Sequence, residues 1–567
     1  VAVDRRELLK TGAAGALLVG LGGLASAAGC ATPVLPHPGA APRAKGESPF
    51  LHGVASGDPQ TDRVILWTRV SPEAYRVHAD VRVAWWIGRN ADGTDVVARG
   101  EVDARPERDF TVKQDAEGLD AGQTYFYGFV CDGVASPTGR TRTLPEADVR
   151  AVRFALVSCA NYPQGFFNAY ACIAARDELD AVLHLGDYLY EYGNGEYGDG
   201  TAIGRVPDPV HEIVSLEDYR RRHAQYKTDS DLQAAHARHP WIAIWDDHES
   251  ANDSWRDGAQ NHTEGDAPGG PDGKGRGEGA WSARRLAAIR AYYEWMPIRE
   301  LPTGLFRQFR FGRLVDLVML DTRLHGRDAR VGPRDHEGAA DPARSLLGAD
   351  QTAWLLAALS ESKRAGTRWR LIGQQVVFAP LRGTFGEFNA DAWDGYRASR
   401  KTILDHLERE SIGDVVILTG DVHSAWALDV PAEAPAPNAG ASTSPGPQTY
   451  DPATGRGSRA VEVVTPAVSS PPFGSHPKAR EMVEASAPMN PHIRYSNVFE
   501  NGYVVLDVTQ ERARAEFLFS DSVKARSPVC RLRAALEDRA GTSHWVPVEA
   551  GENANASTTI RGGSIDA

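Results

Sequence analysis

The stretch Ala181-Val182-Leu183-His184-Leu185-Gly186-Asp187-Tyr188-Leu189-Tyr190 holds a short apolar run that stops abruptly at a Gly-Asp pair. An uninterrupted apolar run of this length reads as a strand buried on both faces, and Gly-Asp is turn chemistry that ends it. Working outward, similar runs recur at 152–157, 241–245, 314–320, 369–373 and 415–418, with helical patterns near 166–179, 282–295, 350–364 and 393–408 between them. Strands alternating with helices predict an α/β domain with largely buried sheets over residues 150–520. Further strand-like runs follow at 461–465, 503–508 and 514–519.

Upstream the texture changes. Between 50 and 145, short β-like runs at 64–68, 81–87, 96–102 and 125–130 are separated by turns such as Asp92-Gly93 and Asp132-Gly133. That spacing predicts an all-β sandwich. The segment Gly118-Leu119-Asp120-Ala121-Gly122-Gln123-Thr124-Tyr125-Phe126-Tyr127 resembles the late-strand signature of fibronectin type III-like domains, which implies an N-terminal fibronectin/Ig-like domain.

The first 29 residues combine Asp4-Arg5-Arg6-Glu7-Leu8-Leu9-Lys10 with an Ala-, Gly- and Leu-rich run, the make-up of an export signal. The paired arginines resemble a twin-arginine signal, implying the twin-arginine export machinery as a partner and a periplasmic or secreted location. The run is too short and too glycine-diluted for a membrane span. Ala25-Ser26-Ala27 could serve a signal peptidase, whereas Ala27-Ala28-Gly29-Cys30 resembles a weak lipobox, so cleavage and a lipid anchor at Cys30 both stand. Residues 30–49 read as a Pro-, Ala- and Gly-rich tether, and 521–567 as a C-terminal extension.

Of the 567 residues, 42% are hydrophobic and 24% charged, which excludes a disordered or collagen-like chain. The net charge of −13 argues against a basic nucleic-acid-binding or anionic-membrane-binding surface. Five cysteines are too few for a disulfide scaffold. With Cys159 assigned to chemistry and Cys30 to the signal, Cys131, Cys172 and Cys530 allow at most one disulfide, whose pairing stays open.

The informative residues follow the strands, where open α/β sheets place ligands. They are Ser158-Cys159-Ala160-Asn161, Gly186-Asp187-Tyr188-Leu189-Tyr190, Asp246-Asp247-His248-Glu249 with Asn252, Asp321-Thr322-Arg323, Gln374-Gln375, and Gly420-Asp421-Val422-His423. Each alone has a bland reading as a turn, a cap or a small buried side chain. Six strand ends in a row bearing such groups predict a metal site.

The order of these motifs resembles the calcineurin-like metallophosphoesterases, and more narrowly the PhoD-type alkaline phosphatases, over about residues 50–519. The resemblance implies a four-layer α/β/β/α sandwich with a two-metal centre at the strand ends. From the residues themselves, Cys159, Asp187, Tyr190 and His423 make a compact anionic donor set whose thiolate and phenolate suit a Lewis-acidic transition ion. The wider superfamily holds iron where a Tyr follows the bridging Asp by three residues, so the resemblance implies Fe3+ here. The other half departs from the superfamily pattern, with Asp247 where that pattern has Asn and Asp421 where it has His, so the nitrogen ligand of the second metal has become a carboxylate. Asp187, Asp247, Asp421 and Gln374 or Gln375, with Gln375 taken as the ligand, form an all-oxygen set that fits Ca2+. Calcium dependence is also what the PhoD resemblance implies.

These assignments predict metal-assisted hydrolysis of small phosphomonoesters and phosphodiesters, with two cations roughly 3.5–4 Å apart clamping the phosphoryl group. His248 would contact the phosphate or leaving group, as the superfamily histidine does, and Asn252 would donate to a phosphate oxygen. Arg323 is the first choice for a phosphate clamp and Arg397 the second, since guanidinium binds oxyanion edges bidentately. A phospholipase D-type activity is the alternative, disfavoured because no Lys/Arg-rich amphipathic helix is evident. A secreted binding protein on a dead catalytic scaffold would lack ligands, and none is missing.

Overall fold

The computed structural model describes residues 48–72, 79–266, 276–383, 388–435 and 450–549. The signal, most of the tether and Cys30 lie outside the described residues. No described helix is long and apolar enough to cross a membrane.

Two mixed sheets face each other. In the ten-stranded sheet, Ala151–Val157, Ala181–His184, Pro240–Ala243 and Val54–Gly57 run parallel as neighbours, flanked by antiparallel strands on both sides. In the seven-stranded sheet, the parallel centre is Val315–Met319, Trp369–Gly373, Val415–Thr419 and Ser458–Val464. Their inner faces share one core, in which Phe154 meets Phe311 edge-on with ring centroids 5.1 Å apart. The outer face of the seven-stranded sheet is covered by Ala349–Arg364 and Arg397–Arg409, whose Leu355, Leu359, Ile403 and Leu407 pack with Ile372 and Ile417. On the other side, Asn168–Ala174, Ser230–Arg238 and Trp281–Trp295 cover the ten-stranded sheet, with His236 stacked 3.9 Å from Trp241. Helix, sheet, sheet and helix make the four layers that the motif order implied.

The first and last strands of the described residues both belong to the ten-stranded sheet. Val54–Gly57 pairs in parallel with Pro240–Ala243, and Arg63–Arg69 and Thr111–Glu117 continue outward from it. These strands also share a core with the separate five-stranded sheet of Val81–Gly88, Val96–Ala104, Thr124–Cys131, Val134–Ala135 and Gly139–Arg142, closing the N-terminal β sandwich. At the opposite edge, Cys530–Arg539 and Trp545–Val548 extend Arg512–Ser520. The segment read as a C-terminal extension therefore supplies edge strands, and Cys172 pairs with Cys530 across a sequence separation of 358. Along Cys530–Arg539, Cys530, Leu532, Ala534 and Leu536 pack on the core and alternate with Arg531, Arg533 and Glu537.

Candidate metal centre

The strands of both sheets end at one rim, and the residues just beyond them converge. Cys159, Asp187, Asp421 and His423 all have positive φ, between 51° and 66°. Non-glycine residues rarely adopt this region, and each costs roughly 1–3 kcal/mol, so strain concentrated at one rim marks a functional site. The glycines of the two Gly-Asp motifs have a steric reason. A Cβ on Gly186 would lie 2.3 Å from Asp246 Cβ, and one on Gly420 would lie 2.9 Å from Ser158 Cβ. Only glycine lets adjacent strand ends approach this closely.

Three overlapping groups place potential ligand atoms within 4.8 Å of one another: Cys159, Asp187 and His423; Asp187, Asp247 and His248; and Asp246, Asp247 and Asp421. Asp187 and Asp247 each belong to two. Tyr190 joins the first, its hydroxyl donating to Asp187 Oδ2 at 2.8 Å and lying 2.9 Å from His423 Nε2. His423 Nδ1 faces the Pro471 carbonyl at 3.1 Å, which orients the ring and leaves Nε2 turned toward Tyr190 and Asp187. Burial and the Asp187 carboxylate push both the Cys159 thiol and the Tyr190 phenol up.

The other side is acidic around one guanidinium. Arg323 is fully buried and donates through Nε to Asp246 at 2.5 Å, through Nη1 to Asp391 at 2.6 Å and through Nη2 to Asp421 at 3.2 Å, with Asp247 at 3.6 Å. Burial raises Asp246 and Asp421 despite Arg323, whereas Arg323 and His248 overcome burial at Asp247 and hold it at about 2. Two buried carboxylate oxygens, Asp187 Oδ1 and Asp246 Oδ2, have no hydrogen-bond partner. Buried orphan acceptors are costly. With thiol, phenol, imidazole and carboxylate donors around them, the residues fit cations. Asp421 and His423 keep 19% and 14% of their side chains exposed, so solvent reaches the cluster on their side.

Several sequence-derived roles change. Arg323 is enclosed by acids and is not open as a phosphate clamp. Gln375 is spent: Oε1 accepts from Thr322 N and Oγ1, and Nε2 donates to the Leu320 carbonyl, so it ties strand ends together and offers the cluster no atom. Gln374 is likewise bound to Thr419 and Trp393. Asn252 turns its amide outward to Gln260, although its backbone N–H donates to Glu191 Oε1. Arg397 lies beside His336 and over the Phe388 ring, away from the cluster.

Three carboxylates escaped assignment. Glu249 accepts from the backbone N–H groups of Asp187, Tyr188 and Asp246, which fastens two of the loops together. Glu191 pairs with His248 Nδ1 at 2.7 Å, and Asp391 completes the Arg323 cage. Glu249 closes one motif and Glu191 directly follows another, where position alone could have flagged them; Asp391 has no local signal.

This constellation can be compared with known proteins. The profile of the PhoD-like phosphatases matches residues 154–517, and that of their N-terminal domain matches 36–145. Alkaline phosphatase D of Bacillus subtilis is 34% identical over 535 residues, covering 91% of this chain and 84% of that protein. The chain belongs to the PhoD-like phosphatase family. A solved structure of PhoD superposes with a TM-score of 0.77 at 33% identity, covering 91% of this chain and 94% of that one. The chain is thus a PhoD-type alkaline phosphatase by family, a metal-dependent phosphoester hydrolase.

Proposed function

We propose that the protein is an exported phosphomonoesterase and phosphodiesterase whose centre takes Fe3+ beside Cys159, Asp187, Tyr190 and His423, and Ca2+ among Asp187, Asp247 and Asp421. The observation that carries this reading is that Asp187 belongs both to the group with Cys159 and His423 and to the group with Asp247 and His248, Asp247 in turn belonging to the all-carboxylate group, which suits Asp187 as a bridging ligand. Tyr190 argues for iron, because phenolate binds a strongly Lewis-acidic ion, and the oxygen-only set argues for calcium. Asp246, with its unpartnered Oδ2, joins the calcium side in place of Gln375.

The cations, when bound, would neutralise phosphoryl charge and acidify a water. The chain supplies the rest. His248 is held by Glu191 through Nδ1, which leaves Nε2 to donate a proton to the leaving-group oxygen. The Glu191 carboxylate stabilises the imidazolium before transfer. Tyr190 lies against the His248 ring at 4.2 Å between centroids and Tyr197 stacks further out, so the imidazole cannot turn. The Arg5-Arg6 signal supports twin-arginine export, with cleavage or lipidation at Cys30 deciding between a free and an anchored enzyme.

Metal analysis coupled to assays on p-nitrophenyl phosphate and its bis-ester tests the reading. Iron and calcium should co-purify with activity on both esters, and the protein should be violet or pink from tyrosinate-to-iron charge transfer. A colourless, fully active enzyme containing only zinc overturns the metal assignment. Hydrolysis of phosphatidylcholine in preference to both small esters would transfer the reading to the phospholipase D type.

A further inference from the structure

Arg397 leads to a second site. It lines a cavity of about 400 Å³ together with Arg382, Arg400, Phe388, Asp394 and Glu433. The volume lies within the range of small-molecule sites. The three arginines are in different states. Arg400 is buried and neutralised, its Nη1 2.7 Å from Asp394 Oδ1 while Asp394 Oδ2 accepts from the Leu381 N–H. Arg382 and Arg397 have no carboxylate partner among the described residues. Arg382 donates Nε to the Pro435 carbonyl and Nη2 to the Ala434 carbonyl, which positions the group and leaves Nη1 unspent. Its backbone is clamped by reciprocal hydrogen bonds with the Asn490 side chain. Arg397 donates Nη2 to His336 Nδ1 and lies 4.7 Å over the Phe388 ring, leaving Nε and Nη1.

Carbonyls and an aromatic face orient a guanidinium without cancelling its charge. Elsewhere the opposite holds even on the same helix, where Lys401 is bound by Asp405. Glu433 on the rim is the opposing charge. Beneath the arginines, Phe388, Leu381 and Met489 give an apolar floor. The segment between Phe388 and Arg397, both of which line the cavity, also carries Asp391, which holds Arg323.

We propose that this cavity is a phosphate-binding subsite, distinct from the metal centre, that receives an oxyanion between Arg382 and Arg397. The phosphate is either free inorganic phosphate or a second phosphate group of a substrate. Fixed guanidinium forks suit tetrahedral oxyanions, and the apolar floor accepts the organic part of a phosphate ester.

The test uses the metal-loaded enzyme in two arms. In the first, inorganic phosphate is titrated calorimetrically into wild type, R382Q/R397Q and E433Q. Wild type should bind two phosphates per chain. The double variant should lose one event or weaken it by at least about tenfold, the loss of charge-assisted hydrogen bonds, and E433Q should tighten that event. Identical titrations of wild type and the double variant overturn the subsite, and thermal melts show that both are folded. R397K should restore part of the affinity if charge is what counts.

In the second arm, which alone rests on the phosphoesterase reading, alkanediol bisphosphates of increasing length compete with p-nitrophenyl phosphate. A length that binds at least about tenfold better than its monophosphate, with the gain lost in R382Q/R397Q, identifies a substrate's second phosphate as the occupant. No gain at any length, with the first arm positive, identifies free phosphate. Absence of turnover would overturn the enzymatic reading while leaving the first arm decisive.

Discussion

On one side of Asp187 stand a thiol, a phenol and an imidazole; on the other, four aspartates close around a guanidinium. The first side is held by hydrogen bonds among groups that carry little charge, since burial keeps Cys159 and Tyr190 protonated. The second concentrates negative charge that is buried except at Asp421, and Arg323 is the counter-charge. Thus the soft side must give up protons to take a cation, whereas the acidic side already holds a cationic group of its own. Cation binding is coupled to proton release on the first side and to displacement of ion pairs on the second.

The largest effect should come from the residue both sides share. Asp187→Asn is expected to lower kcat by on the order of a thousandfold or more and to reduce both iron and calcium content. Loss of only one metal would mean that the sides do not share it. Next, Arg323→Gln leaves buried carboxylates unpaired, an expected loss of about 3–5 kcal/mol, read by chemical denaturation. Calcium should restore much of it, and an equal loss with and without calcium would break the comparison. Glu191→Gln touches neither side's ligands, only the carboxylate behind His248. It should cost about 10–100-fold in kcat at unchanged metal content, and unchanged turnover would remove His248 from proton transfer.

The smallest effect separates the centre from the scaffold. Burial pushes His52 down to about 3 and His239 and His492 down to about 4. Their unfolded values lie near 6.5, so between there and pH 3–4 the unfolded chain binds more protons than the native one. Stability should therefore fall as pH drops through that window, in apo and loaded protein alike. His52→Gln should shallow the slope, and an unaltered slope would place the acid sensitivity in the carboxylate cage instead.

The rim was legible because strand ends advertise themselves. Apolar runs stop, and Gly-Asp, Ser-Cys and Asp-Asp-His-Glu follow at once. Commitments made through space were not legible. Arg323 looked like any arginine after a strand until Asp391, distant in sequence, came to its side. Gln375 looked like a ligand because its neighbours are, but an amide beside two strand ends is claimed first by their backbones. The helices Leu216–Tyr226 and Ser230–Arg238 were missed because buried His, Arg and Tyr interrupt their apolar faces. In Cys530–Arg539 the apolar face is there to read, since Cys530, Leu532, Ala534 and Leu536 alternate with Arg531, Arg533 and Glu537 and pack on the core, whereas Trp545–Val548 is too short to show a pattern.

That the first and last described strands share one sheet has a bearing on biogenesis. Ala151–Val157, which leads to Cys159, is hydrogen-bonded to Gly502–Thr509, and beyond that lie strands ending at Val548. A ribosome must therefore have made the chain through these strands before this sheet can close, and such long-range pairing is slow. Until then Ala151–Val157 presents an open edge, a template for unwanted partners. The strand that leads to Cys159 is thus completed on that side only by a partner some 350 residues further along the chain.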